Sequence, residues 1–218
     1  MKSSQKSLLV ALCVFAMPLA AHANHWTLET VWPSGLCAAS QVGQPLCASA
    51  NKAKAGHLLG SRLVVSQGQC PASTQSANAV ALDTATAEYL AANDKGELQA
   101  LWQRYGSCSG LTAEAYFSTT ADMAKAIGQT AFGRFLQQNK GKPVAKQDLI
   151  SQLASDYFVG ADGKVHLICR GDYLVGVHFY PRSWSELFVA KGSGGMLEKA
   201  PQSVEKSGES VCKEQVRL

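Results

Sequence analysis

Charged residues are scarce in this sequence, and neither sign of charge predominates. Asp, Glu, Lys and Arg make up 17% of the 218 residues, with 20 basic against 16 acidic side chains, whereas about a quarter is usual for soluble domains. A balance this close to neutral creates no strong field for nucleic acid or acidic lipid. Long polar tracts are also lacking, which argues against disorder. The composition therefore excludes a strongly basic nucleic-acid scaffold and a disordered tail protein.

Several motifs of catalysis and metal binding are missing as well. No Cys-x-x-Cys occurs, which disfavours a redox motif or a zinc ribbon, and no Gly-x-Ser-x-Gly elbow marks a hydrolase nucleophile. Residues 191–195 (KGSGG) have their lysine before the glycines, so they indicate a flexible loop and not a phosphate-binding P-loop. His166 and His178 could provide two metal ligands, but no carboxylate falls at a suitable spacing in the sequence, and histidines of a hairpin usually face solvent. We therefore expect no metal and no cofactor.

The longest apolar run lies at the start of the chain, where residues 8–20 follow Lys2 and Lys6. This run is shorter than the about 20 residues that a membrane-spanning helix needs. Residues 21–23 (AHA) provide a small-x-small cleavage pattern, so residues 1–23 are predicted to be a signal peptide cleaved after Ala23; the alternative is an uncleaved anchor. We expect a periplasmic or secreted protein that is not held at a membrane, with a single domain over residues 24–218.

Six cysteines remain after this cleavage, because Cys13 lies in the leader. They are Cys37, Cys47, Cys70, Cys108, Cys169 and Cys212. An even number of cysteines in an exported chain predicts three disulfides. Their spacing alone does not choose among the many pairings that six cysteines allow.

Helical patterns are concentrated in the middle of the mature chain. Apolar spacings of three and four residues predict helices over residues 82–93, 97–104, 131–138 and 146–153, and another after Thr112. Asp83 and Thr112 are predicted N-caps. Strands are predicted over residues 25–32 and 62–66, and residues 33–35 (PSG) are expected to end the first of them.

A β-hairpin is predicted after the helices. Residues 165–169 and 173–180 are apolar runs that flank Arg170-Gly171-Asp172. Helices in the middle of the chain with strands on either side are typical of an α+β fold and not of repeated βαβ units.

Residues 101–111 (LWQRYGSCSGL), followed by AYF at 115–117, resemble the second active-site segment of the ribonuclease T2 family. That segment has the pattern His-Glu-Trp-x-Lys-His-Gly-x-Cys, then Ser-Gly-Leu. Residues 26–37 resemble the family's first strand and first cysteine, and residues 51–53, the hairpin and the last cysteine extend the similarity over most of the mature chain. The resemblance implies an α+β fold with a central antiparallel sheet. It also implies the disulfides Cys37–Cys47, Cys70–Cys108 and Cys169–Cys212.

The same segment departs from the family at its catalytic positions. In the family, one histidine deprotonates the ribose 2′-hydroxyl and another protonates the leaving 5′-oxygen, assisted by a lysine and a glutamate and without a metal. Here Leu101 stands at the glutamate position, Tyr105 at the histidine position and Arg104 at the lysine position. The preceding histidine position holds Ala100. Arginine can hold phosphate, but leucine transfers no proton, and tyrosine, with an ordinary pKa of about 10, is a poor substitute near neutral pH.

Trp102 and Arg104 are the candidate substrate-binding residues of this segment. Trp102 could stack on a base, although a tryptophan on a helix is also typical of a core position. Arg104 could contact a phosphate.

The family's first active-site segment, His-Gly-Leu-Trp-Pro, is not preserved. Aligned without gaps from residues 51–53, it falls on residues 59–63 (LGSRL), which contain no histidine. A shift of two residues puts His57 there as a retained base, and the alternative is that His57 is a polar residue before a strand. Even with His57, only one of the two proton-transfer histidines is present.

These departures predict a ribonuclease T2-like pseudoenzyme, with a degenerate catalytic site, that binds RNA, a nucleotide or a periplasmic protein. If cleavage remains, we expect an endoribonuclease that forms a 2′,3′-cyclic phosphate through His57, Arg104 and Tyr105. A third alternative is an inhibitor or immunity-like interaction protein that uses the scaffold alone. A monomer is expected in each case.

Overall fold

The computed structural model describes residues 26–40, 45–48, 54, 56–65, 70, 82–92, 94–156, 165–180 and 212–218. The predicted signal peptide and the KGSGG segment lie outside the described residues. Within the described residues, every helix is too short or too polar to cross a bilayer.

Six strands and six α-helices form the described part of the chain. The strands are β1 (Trp26–Val31), β2 (Leu59–Val65), β3 (Pro143–Ala145), β4 (Val165–Arg170), β5 (Tyr173–Phe179) and β6 (Gln215–Arg217). The helices are α1 (Pro33–Ala39), α2 (Thr84–Glu88), α3 (Lys95–Leu101), α4 (Ala113–Gly128), α5 (Ala131–Gln138) and α6 (Lys146–Asp156). A 3₁₀ turn spans Pro45–Cys47, and a π-helical turn, Trp102–Gly106, continues α3.

All six strands join one sheet in the order β2-β1-β5-β6-β3, with β4 paired to β5. The pairings are antiparallel except for the single parallel contact of β5 with β6. The predicted α+β class is therefore confirmed, with a central, mainly antiparallel sheet.

The two faces of the sheet differ in burial. Trp26, Leu28 and Thr30 of β1 are buried, whereas the residues between them are half-buried, as the two-residue period of a strand requires. On the buried face α4 packs closely on β2, because a Cβ atom added to Gly60 would lie 2.6 Å from the carbonyl oxygen of Thr120. The half-buried face carries the polar side chains of the candidate site.

Most of the predicted elements are observed. The helix after Thr112, the helix over residues 131–138 and the hairpin with Gly171 in its turn are confirmed. The first strand ends before residues 33–35, as predicted, and Pro33 is the first residue of α1, where its missing N–H and fixed φ are tolerated. The helix predicted over residues 82–93 is only the five-residue α2.

All three disulfides that the family resemblance implied are present. They are Cys37–Cys47, Cys70–Cys108 and Cys169–Cys212. The second joins the segment after β2 to the end of the π-helical turn, where the Cys70 N–H also donates to the Arg104 carbonyl at 2.7 Å. The third joins the hairpin to the C-terminal strand.

Candidate functional site

The segment that resembles the family's second active-site motif is the end of α3 and the π-helical turn. Asp94 caps α3 by accepting a hydrogen bond from the Glu97 N–H at 2.9 Å. The helix then widens into the π-helical turn, a form that is frequent at functional sites. Gly106 ends this turn against Trp102, since a Cβ atom there would lie 2.4 Å from the indole ring. The turn thus depends on glycine at this position.

Trp102 and Arg104 differ in exposure. Trp102 is 3% exposed and meets the Tyr116 ring edge-on, with centroids 5.9 Å apart. It therefore lies in the core, which was the alternative to stacking on a base. Arg104 is exposed. The structure therefore does not bring these two side chains together at one surface.

Tyr105 faces the sheet and contacts Arg62 of β2. The tyrosine is 8% exposed, and the guanidinium carbon of Arg62 lies 4.7 Å from the centre of its ring. This is a cation–π distance. The side chain at the family's histidine position therefore contacts an arginine of β2.

Arg62 is also paired with a carboxylate on the neighbouring strand. Its Nη2 lies 2.5 Å from Oε2 of Glu29, directly opposite it in the β1–β2 pair. Burial opposes the charged form of Arg62, but the charge and hydrogen bond of Glu29 outweigh this and raise the pKa of the guanidinium. Burial raises the pKa of Glu29 above its usual value, although Arg62 counteracts part of the rise.

Glu29 has a second titratable neighbour, His178 of β5. Its Nε2 lies 3.8 Å from the same carboxylate oxygen, and His178 is in turn opposite His166 of β4. Spacing along the chain did not indicate this carboxylate, because Glu29 reaches the hairpin only through the pairing of β1 with β5. We call the four side chains Arg62, Glu29, His178 and His166 the polar row.

His57 lies at a different place, before β2 and beside α2. Its Nε2 is 3.9 Å from Oε1 of Glu88, and its ring centroid is 5.5 Å from that of Tyr89. No contact among the described residues joins His57 to Tyr105. Leu59, at the ungapped position of the family's first histidine, is fully buried, and Leu101 packs against the core.

The polar row was not predicted as a site from the sequence. The hairpin pattern placed His166 and His178 on facing strands, and strand alternation separates Glu29 from its buried neighbours. The missing signal is the strand order, because only the pairing of β1 with both β2 and β5 brings the carboxylate between an arginine and a histidine. Among the described residues, no group of three or more His, Cys, Asp or Glu side chains could hold a metal ion.

Comparisons with known proteins agree with this fold. No protein-family model matches the sequence. Ribonuclease I of Escherichia coli (strain K12) is 30% identical over 71 residues, 33% of this chain and 26% of that protein, so the chain matches about a quarter of the relative's length.

Similar solved structures cover most of the chain. A mutant of RNase MC1, a ribonuclease from bitter gourd seeds, in complex with 5′-GMP has a TM-score of 0.54 at 18% identity and covers 89% of this chain and 100% of its own. The self-incompatibility associated SF11-RNase of Nicotiana alata has a TM-score of 0.56 at 13% identity and covers 89% of this chain and 97% of its own. RNase NT in complex with 5′-AMP has a TM-score of 0.52 at 12% identity and covers 89% of this chain and 97% of its own. The predicted resemblance is confirmed, and the chain has the fold of the ribonuclease T2 proteins.

Proposed function

We propose that this chain is an exported pseudoenzyme of ribonuclease T2 fold, which binds RNA or nucleotides and cleaves RNA poorly or not at all. The observation that carries the proposal is the contact of Tyr105 with Arg62, at the place where the family pattern has a proton-transferring histidine. Leucine at position 101 adds no carboxylate. The proposal includes a signal peptide over residues 1–23 and a single domain over residues 24–218.

The expected loss of cleavage is large. A positioned general acid or base contributes about 10²–10⁴-fold to a rate, although the contributions of residues that act together are not additive. Replacement of the motif histidine and glutamate should therefore leave cleavage about 10²-fold or more below that of a ribonuclease with both groups.

Binding is supported by the charges that remain. Arg62 and the exposed Arg104 are permanent cations, and arginine suits phosphate recognition. Of the three similar structures described above, two are complexes, with 5′-GMP and 5′-AMP. A nucleotide is therefore the ligand class that the fold and these side chains favour.

The test uses purified residues 24–218 in two parallel assays. Single-stranded RNA measures cleavage and its cyclic-phosphate products, and a 2′-O-methyl oligonucleotide, which lacks the attacking hydroxyl, measures binding. We expect binding, and a cleavage rate about 10²-fold or more below that of ribonuclease I. Rapid cleavage by the wild type would overturn the proposal.

Two variants sharpen the result. If residual cleavage is lost in His57→Ala, the alternative of an endoribonuclease that uses His57, Arg104 and Tyr105 replaces the pseudoenzyme. The double variant Leu101→Glu with Tyr105→His restores two motif residues and tests whether their absence limits the rate. Absence of oligonucleotide binding, with stable binding of a periplasmic protein, would instead favour the interaction protein.

A further inference from the structure

The polar row is a continuous line of side chains across four strands. Arg62 of β2 is opposite Glu29 of β1, Glu29 is opposite His178 of β5, and His178 is opposite His166 of β4. Directly opposed residues in antiparallel strands project from the same face with Cβ atoms about 4.5–5.5 Å apart. The four side chains therefore form one strip, about 15 Å long, on the half-buried face of the sheet.

Arg62 retains donor capacity that its contacts do not use. Nη2 donates to Glu29, whereas Nε is buried and has no hydrogen-bond partner among the described residues. A buried donor without a partner is costly, and a ligand oxygen that accepts from it recovers that cost. The guanidinium carries five donors in a fixed fork that fits phosphate.

Tyr105 fixes the plane of this guanidinium. Its ring is nearly fully buried and lies against Arg62, while Glu29 binds Nη2 of the guanidinium. Because the arginine is ordered before a ligand arrives, little side-chain entropy remains to be lost on binding. A preorganised arginine is suited to an anion.

Glu29 is the one anionic member of the polar row, and it accepts the hydrogen bond of Arg62 Nη2 that a phosphate would otherwise accept. The charged and titratable groups that face it are Arg62 from β2 and His178 from β5, with Tyr105 and Tyr116 beside the guanidinium. A carboxylate there repels a second anion and competes with it for Nη2.

We propose that Arg62, at one end of the polar row, binds the phosphate group of a nucleotide and that Glu29 competes with this phosphate for its guanidinium. The inference rests on the proposed nucleotide-binding function and names the side chains that perform it. Neutralising Glu29, by substitution or by protonation, releases Arg62 to the ligand. Phosphate binding therefore strengthens as the pH falls.

The test measures the affinity of the mature chain for 5′-AMP by calorimetry, with adenosine as the probe that lacks phosphate. Glu29→Gln should bind 5′-AMP about tenfold more tightly than the wild type, whereas Arg62→Lys, which keeps the charge but loses the fork, should bind about tenfold more weakly. Glu88→Gln is the matched control, because it changes net charge equally at an exposed site. Adenosine affinity should be the same in every variant.

Three outcomes would overturn the inference. They are an unchanged affinity in Glu29→Gln, an equal gain in Glu88→Gln, and an equal gain for adenosine. If the wild type binds 5′-AMP and Glu29→Gln does not change the affinity, the proposed function remains intact and only the inference fails. If neither the wild type nor any variant binds 5′-AMP or the oligonucleotide, the inference and the proposed function are both contradicted.

The pH dependence of the wild type provides a measurement that needs no variant. A 2′-O-methyl dinucleotide carries a single phosphodiester, whose charge stays constant near neutral pH. 5′-AMP, which carries a terminal phosphate monoester, is measured in parallel for comparison. The dinucleotide should bind more tightly at about pH 5 than at about pH 7. An affinity that is constant over this range would contradict competition by Glu29.

Discussion

At the scale of single residues, Glu29 links the arginine of one neighbouring strand to the histidine of the other. It lies in the polar row, but both of its chain neighbours are buried, and only 16% of its side chain is exposed. Burial raises the pKa of this carboxyl more than Arg62 lowers it. The folded protein therefore holds a proton on Glu29 more tightly than the unfolded chain does.

This difference predicts a pH-dependent stability. A folded-state pKa above the unfolded one contributes stability at low pH, and that stability is lost as the pH rises from the ordinary glutamate pKa through the raised value. Glu29→Gln has no such group, so the wild type should lose stability relative to this variant over that window, by about 1.4 kcal/mol for each unit of pKa difference. Urea unfolding of both proteins between about pH 4 and about pH 7 measures it.

Glu88→Gln again serves as the control, because Glu88 is about half exposed. Its free energy of unfolding should differ from that of the wild type by a nearly constant amount over this pH range. If the stability difference between wild type and Glu29→Gln does not change with pH, burial does not determine the pKa of Glu29. An opposite trend would mean that pairing with Arg62 outweighs burial.

At the scale of elements, the outer edge of β2 is closed by contacts from the helices. The Tyr116 hydroxyl of α4 accepts from the Leu63 N–H at 3.0 Å and donates to the Leu63 carbonyl at 2.9 Å. Gly60 exchanges backbone hydrogen bonds with Tyr89 and Ala91 next to α2. An edge strand with unpaired backbone groups is prone to pair with other chains, so these contacts protect β2 and fix the position of Arg62.

Tyr116→Phe should therefore destabilise the protein. The substitution keeps the ring but leaves two buried backbone groups of Leu63 without their partner, at an expected cost of about 1–3 kcal/mol in the free energy of unfolding. Tyr173→Phe, at a half-buried position, is the matched control and should cost less. Chemical denaturation measures both, and equal losses would mean that the hydroxyl of Tyr116 contributes nothing specific.

Local sequence signals predicted the elements that local interactions define. Thr112 caps α4 by accepting from the Ala115 N–H, and Gly171 adopts the positive φ of the hairpin turn, so short patterns were sufficient. The strands β3 and β6 were not predicted, because each has three residues and exists through pairing with the other. Trp102 had two interpretations, since exposure on a helix depends on what packs against it.

At the scale of the whole molecule, the site depends on strand order, which no local pattern contains. β1 pairs with β2, which is close in sequence, and with β5, which lies more than a hundred residues away. The family resemblance predicted the fold and the disulfides, and it located the degenerate second motif. It did not predict the polar row, because Arg62 falls at the tryptophan position of the first motif and Glu29, His178 and His166 lie outside both motifs.

The three disulfides divide the chain into loops that do not overlap. The bonded cysteines are 10, 38 and 43 residues apart in Cys37–Cys47, Cys70–Cys108 and Cys169–Cys212. A cross-link stabilises the folded state mainly by restricting the unfolded chain, more so for a longer loop. Because no loop encloses another, the three effects should be nearly additive.

Replacing each pair by serine should therefore rank the disulfides by loop length. The chain-entropy model gives a loss of about 2.7 kcal/mol for Cys37–Cys47 and about 3.9 kcal/mol for each of the other two. Urea unfolding of the three double variants measures these losses, and the alanine pairs at the same positions are the controls for the polarity of serine. A loss for Cys37–Cys47 that equals or exceeds the others would show that native-state packing around α1, and not chain entropy, determines the contribution of that disulfide.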